Sequence, residues 1–207
     1  MIRATKDHES HLLLALVGTG LLLSGLSPTD RFTWFLEALP VLIGIPLVIE
    51  THHVFPLTPL LARLLALHAG ILIVGAHYTY AQVPLGYWLQ DLFDFARNHY
   101  DRIGHFAQGF IPAFLAREIL MRRVPLPPGN WLFFLVCSIC LAFSASYELF
   151  EWGVARWTGE AADAFLGTQG DAWDTQWDMF LALIGSITAQ TLLSTRHNQQ
   201  VTELLPP

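Results

Sequence analysis

Three stretches of the chain place side chains that could do chemistry together. Asp101 and His105 stand four apart in HYDRIGHF, and Glu148 and Glu151 three apart in SYELFEW. Asp174 and Asp178 stand four apart in GDAWDTQWDM, with Asp171 one turn earlier. On a helix, steps of three and four turn both members of a pair to the same side. Carboxylates and one imidazole, carried inward on facing helices, are the material of metal sites in bundle cores. Oxygen-dominated ligands suit Mg²⁺, Mn²⁺ or Ca²⁺, and the added histidine admits Zn²⁺ or Fe²⁺. The expected metal ligands are therefore Asp101, His105, Glu148, Glu151, Asp174 and Asp178. Of these, His105, Asp101, Glu148 and Glu151 are also the candidates for general acid–base work, with His105 the first choice as ligand or proton shuttle. Trp173, Trp177, Asp171, Glu37 and His77 are candidates for substrate contacts. Simpler roles compete. Asp171 could be the N-cap of the following helix with Asp174 at its third position, and the glutamates could pair with Arg102 or Arg156.

The elements that must hold these residues are apolar helices. Of 207 residues, 53% are hydrophobic and 14% charged, with a mean hydropathy of +0.44. The apolar residues lie in blocks long enough to cross a bilayer, predicting spans at about 11–27, 32–50, 60–80, 103–120, 131–150 and 176–195. The fold class expected is all-α: one polytopic helix bundle over residues 1–207 with about six membrane spans. The first span follows Arg3 and Lys6 as a signal peptide would, but SGLSPTD is a poor cleavage site, so a retained helix is expected. Ahead of the fourth span, Leu85, Trp88, Leu89, Leu92, Phe93, Ala96, Tyr100 and Ile103 form one apolar face of an outer, interfacial amphipathic helix. If that helix is continuous, Asp91, Asp94, Asn98, Asp101, His105 and Gln108 align along its other side.

Charge gives the orientation. With the N-terminus in the cytoplasm, Arg3, Lys6, Arg63, Arg117, Arg122, Arg123 and Arg196 fall inside, and Arg31, Arg97, Arg102 and Arg156 outside. Acidic residues, Glu160 and Asp163 among them, gather at the outer ends. The net charge of −6 therefore sits mainly outside, which argues against nucleic acid as a partner and for a cation-rich pocket. The expected partners are the lipid bilayer and an envelope or lipid-linked substrate. The sequence leaves the oligomeric state open. Cys137 and Cys140 form a CxxC inside the fifth span, where they read as small buried hydrophobes. There is no GxSxG, HExxH or phosphate-cradling glycine loop.

HYDRIGHF, SYELFEW and GDAWDTQWDMFLALIGS, with the chain length, resemble the YjdF family of bacterial inner-membrane proteins, most strongly from about residue 97 to 195. That resemblance implies a fold and a multi-pass inner-membrane location, and no reaction. A looser likeness is to VanZ-like proteins of the cell envelope. Their Asp-Lys-x-x-His-Phe element is similar to Asp101–Phe106, and their Glu-x-x-Gln pair to Glu148 and Glu151. Their Asp-x-x-x-Asn helix start followed by glycine is similar to Asp174, Asp178 and Gly185. Here Glu151 replaces the amide and Asp178 the asparagine, which makes this site the more acidic.

The reading with most support is a metal-dependent membrane enzyme acting on an envelope or lipid-linked substrate. The alternatives are a binding or transport protein that uses the carboxylates as a cation or proton pathway, and a structural partner whose acidic cluster is satisfied by arginines.

Overall fold

The computed structural model describes residues 2–159 and 163–204; Glu160 and the side chains of Arg3, Lys6 and Asp163 lie outside the described residues. Every regular element within them is a helix. The first group is α1 (Ile2–Leu26), α2 (Arg31–Thr51) and α3 (Pro59–Tyr78). Helix α2 starts because Asp30 accepts the Thr33 N–H at 2.7 Å, and α3 because Thr58 caps it ahead of Pro59, whose missing N–H costs nothing at a helix start. After the 3-10 turn Tyr80–Gln82 come α4 (Pro84–Phe93), α5 (Tyr100–Phe110) and α6 (Pro112–Arg123). The chain closes with α7 (Asn130–Thr158), the short α8 (Asp163–Leu166) and the long α9 (Asp174–Leu204).

Four of these helices are long and apolar enough to cross a membrane: 8–26, 31–51, 59–78 and 130–158. The other two expected spans fall on α5–α6 and on α9, and six crossings are compatible with this arrangement. Large apolar side chains turn outward along the bundle, among them Leu16, Leu22, Leu47, Leu67, Phe134 and Leu192. In water such a surface would drive aggregation; in lipid it is the solvated face.

Two apolar cores hold the bundle. One joins α1, α2 and α3 through Leu21, Ala38, Val41, Ile73 and Ala76. The other joins α3, α6, α7 and α9 through Leu61, Phe114, Leu132, Val136, Cys140 and Ala189. The cysteines are free and buried, as expected, and Gln190 reaches the Cys137 sulfur at 3.3 Å. Helices α5 and α9 approach each other closely. A Cβ on Gly109 would fall on the Ala182 carbonyl, and one on Gly185 on the Phe106 carbonyl, so each helix uses a glycine to admit the backbone of the other.

The expected amphipathic helix does not continue into the fourth span. Helix α4 ends where Asp94 adopts the left-handed conformation, with φ of 54°, and its N–H closes on the Gln90 carbonyl. Asn98 then turns the chain. It is buried, donates to the Val83 carbonyl at 3.0 Å and accepts the Tyr100 N–H at 3.0 Å. Asp91 and Asp94 are left exposed, so the six-residue stripe is broken. The fourth span is itself divided at Pro112, which has no N–H to give the Gln108 carbonyl one turn back.

Candidate functional site

At the end of the bundle where α5 and α9 begin and α7 finishes, the acidic residues divide into two sets. Arg97 and Arg102 bind the first. Arg97 Nη2 lies 2.5 Å from Asp174 Oδ1, and Arg102 Nη2 lies 3.0 Å from the same atom. Arg102 also reaches Asp171 at 2.9 Å and Asp178 at 3.0 Å, so one guanidinium touches three carboxylates. Its charge lies 5.8 Å from the centre of the Trp177 ring. Asp171 additionally accepts the Trp173 N–H at 2.9 Å, capping the turn that leads into α9; the helix proper starts at Asp174. Arg97 donates to the Thr168 carbonyl, and Gln169 and Asn98 exchange two hydrogen bonds, at 3.1 and 2.8 Å. The arginines are thereby fixed to the loop before α9.

The second set surrounds a partly open cavity of about 50 Å³, at the scale of a few waters or a partly hydrated ion. Asp101, His105 and Gln108 face it from α5, Glu151 from α7, Glu37 from α2 and His68 from α3. Tyr80 and Tyr147 complete the polar wall, and Phe165 of α8 lies buried over it, packed edge-on against Phe150.

His105 is the centre of this set. Its Nε2 lies 3.5 Å from Asp101 and 3.7 Å from Glu148, both longer than an ordinary hydrogen bond. Its Nδ1 and the Glu148 Oε1 are buried with no hydrogen-bond partner among the described residues. Asp101, His105 and Asp178 each bring one ligand atom within 4.8 Å of the others. Among the described residues, Arg97 and Arg102 pair with Asp171, Asp174 and Asp178, while the nearby carboxylates Asp101, Glu148 and Glu151 pair with no arginine. His99, at the head of α5, adds no charge at neutral pH: partial burial, then the two guanidiniums, hold its imidazole below the usual range.

The sequence-based candidates are thus sorted by position. Asp101, His105, Glu151 and Glu37 line the cavity, Glu148 flanks His105, Asp171 and Asp174 are engaged by arginine, and Asp178 stands between the two sets, close to Asp101 and His105 and held by Arg102. His77 does not pair with Glu37; its ring contacts the Ser24 carbonyl at 3.0 Å and packs on Tyr78. Trp173 and Trp177 are exposed beside the arginine set, not in the cavity. Arg156, expected as a neutraliser, is exposed; Arg97 fills that role.

The family model described as "Predicted membrane protein (DUF2238)" matches residues 9–199. The inner membrane protein YjdF of Escherichia coli (strain K12) is 48% identical over 194 residues, covering 94% of this chain and 91% of that protein. The chain belongs to this family. It is an integral membrane protein. No solved structure matches it. The looser likeness to VanZ-like proteins gains no support from these comparisons.

This family member also holds a second polar cluster, at the opposite end of the bundle, that spacing did not reveal. Glu118 is fully buried and accepts from Thr58 Oγ1 at 2.5 Å, from the Thr58 N–H at 3.1 Å and from Arg122 at 2.9 Å, with His197 at 3.3 Å. Arg122 lies 3.8 Å above the Phe55 ring and donates to the Pro56 carbonyl. Arg117 binds Gln190 at 3.0 Å and Asn198 at 2.6 Å. The cluster ties the α2–α3 connection to α6 and α9. Only a partner search for the single glutamate of α6 could have found it.

Proposed function

We propose that the Asp101–His105–Asp178 cluster at the edge of the acidic cavity is a divalent-cation site at the outer face of the bacterial inner membrane, where the protein acts on an envelope or lipid-linked substrate. Asp101, His105 and Asp178 are its ligands, and Glu148, Glu151 and Glu37 handle protons around it. The observation that carries this reading is the convergence of three ligand atoms within 4.8 Å, beside a buried histidine nitrogen and carboxylate oxygen that lack partners. Two carboxylates and an imidazole favour Mn²⁺, Mg²⁺ or Zn²⁺. A bound cation also offsets the excess of carboxylate over guanidinium that protein partners leave. Asp171 and Asp174, engaged by Arg97 and Arg102, hold those arginines at the rim, where they meet an anionic group of the substrate. The cytoplasmic N-terminus expected from the basic residues puts this rim outside.

An apolar layer built on Leu61, Phe114, Leu132 and Val136 separates the cavity from the Glu118 cluster. That favours a site closed on its inner side over a transmembrane pathway.

The test is metal content by mass spectrometry. Detergent-purified protein is loaded with Mn²⁺ or Zn²⁺ and desalted, as wild type, Asp178→Asn, His105→Gln and the exposed control Asp91→Asn. The expected result is about one ion in wild type and in Asp91→Asn, and none in the other two at unchanged helicity. Wild type without an ion ends the metal reading; ions retained in Asp178→Asn and His105→Gln remove these residues from it.

A further inference from the structure

Helices α2 and α7 do not pack tightly together, and the gap between them has two faces. One carries Glu37 and Glu151 into the cavity. The other is an apolar groove of about 490 Å³, within the size range of small-molecule sites. Phe32, Phe35 and Leu39 line it from α2, and Phe150, Val154 and Trp157 from α7. The groove and the cavity share their wall residue by residue, since Leu36 and Phe150 face the groove while their neighbours Glu37 and Glu151 face the cavity.

Charge sits at one end of the groove only. Arg31 precedes Phe32 at the start of α2, Arg156 precedes Trp157 near the end of α7, and both are exposed. Among the described residues neither joins an ion pair. Both lie at the acidic end of the bundle, the level at which lipid headgroups meet a membrane protein. An apolar channel for a chain, topped by two guanidiniums, is complementary to a lipid that carries a phosphate.

We propose that the groove holds one chain of an anionic phospholipid, with its phosphate at Arg31 and Arg156 and no headgroup cation to offset it, and that such a lipid is the substrate class of the neighbouring acidic site. The second half of that statement rests on the function proposed above. Gly153 forms part of the groove, and a Cβ there meets nothing within 4 Å, so Gly153→Leu fills the groove without a clash. It also replaces a poor helix former with a good one.

The experiment counts retained lipids. Protein in nanodiscs of equal phosphatidylglycerol and phosphatidylcholine, in chelator, is released into native mass spectrometry. Wild type is expected to retain phosphatidylglycerol in preference. Arg31→Gln and Arg156→Gln each lower the preference by about fivefold, and Gly153→Leu abolishes retention at unchanged melting temperature. Equal retention of the two lipids by wild type overturns the proposal, because the groove then holds only bulk lipid. Unchanged retention in Gly153→Leu overturns it as well. The arginine variants lie on the surface and read the headgroup even if Gly153→Leu folds poorly. The chelator separates the two readings: lipid selection without metal binding sinks the cation site alone, and metal binding without lipid selection sinks this proposal alone.

Discussion

Replacing Arg102 with glutamine tests the electrostatics of the acidic end directly. Arg102 contacts Asp171, Asp174 and Asp178 at 2.9, 3.0 and 3.0 Å, which invites a sum over three ion pairs. The sum is wrong. Arg97 still holds Asp174 at 2.5 Å, and Asp171, with its side chain 27% exposed, is partly solvated. Asp178 is the residue stranded, since its side chain is 2% exposed and Arg102 is its one guanidinium partner. Stranding one buried carboxylate costs about 3 kcal/mol, at the lower end of broken buried pairs. For a chain of this length that is a fall in melting temperature of roughly 6–12 °C. The assay is thermal unfolding in detergent and chelator, followed by the fluorescence of the seven tryptophans. Asp178→Asn in the Arg102→Gln background removes the stranded charge and is expected to recover most of the loss. Added Mn²⁺ is expected to recover it too, because Asp178 is then free to turn wholly to the cation. Melting of Arg102→Gln within about 2 °C of wild type, or a double variant that loses the sum of both single effects, would refute the reasoning.

Two further substitutions test the frame. Gly109→Ala drives a methyl into the Ala182 carbonyl and is expected to lower stability by about 1–3 kcal/mol, whereas Gly70→Ala, with nothing within 4 Å, leaves it unchanged or slightly raised; melting temperatures of the two variants must move apart. Glu118→Ala leaves Arg122 buried without its carboxylate and is expected to cost about 3–5 kcal/mol, with faster proteolysis of the 52–57 connection. The exposed Glu50→Ala serves as control, and equal melting of the two variants would reduce the inner cluster to decoration.

The apolar spans were legible because lipid imposes one rule on every stretch of about twenty residues, and the outward-facing leucines follow it. The pairing of Asp101 with His105 was legible for a local reason, since one helical turn fixes it. Asp94 was not. Nothing in QDLFDFARNHY announces a break by glycine or proline, and the turn depends on Asn98 finding the Val83 carbonyl fifteen residues away. Arg97 was not named as a partner for the same cause. Its match with Asp174 spans 77 residues and requires the loop around Gln169 to be in place. Glu118 and His197, 79 residues apart on different helices, lie beyond any spacing rule. Local periodicity thus delivered the helices and the first pair of the site; Arg102 was expected beside the glutamates, and only tertiary contacts turned it to the aspartates and brought in Arg97.

The apolar layer of Leu61, Phe114, Leu132 and Val136 has an electrical consequence. A transmembrane voltage falls where the medium conducts and polarises least, which here is that mostly apolar slab, entered by the buried Arg117–Gln190 pair, more than the polar clusters on either side. Moving one charge through the full drop is worth about 2.3 kcal/mol per 100 mV. A cation at Asp101, His105 and Asp178 stays on one side of the slab and samples little of the drop. Its occupancy follows the ion concentration of the compartment it opens to, largely indifferent to whether the membrane is energised.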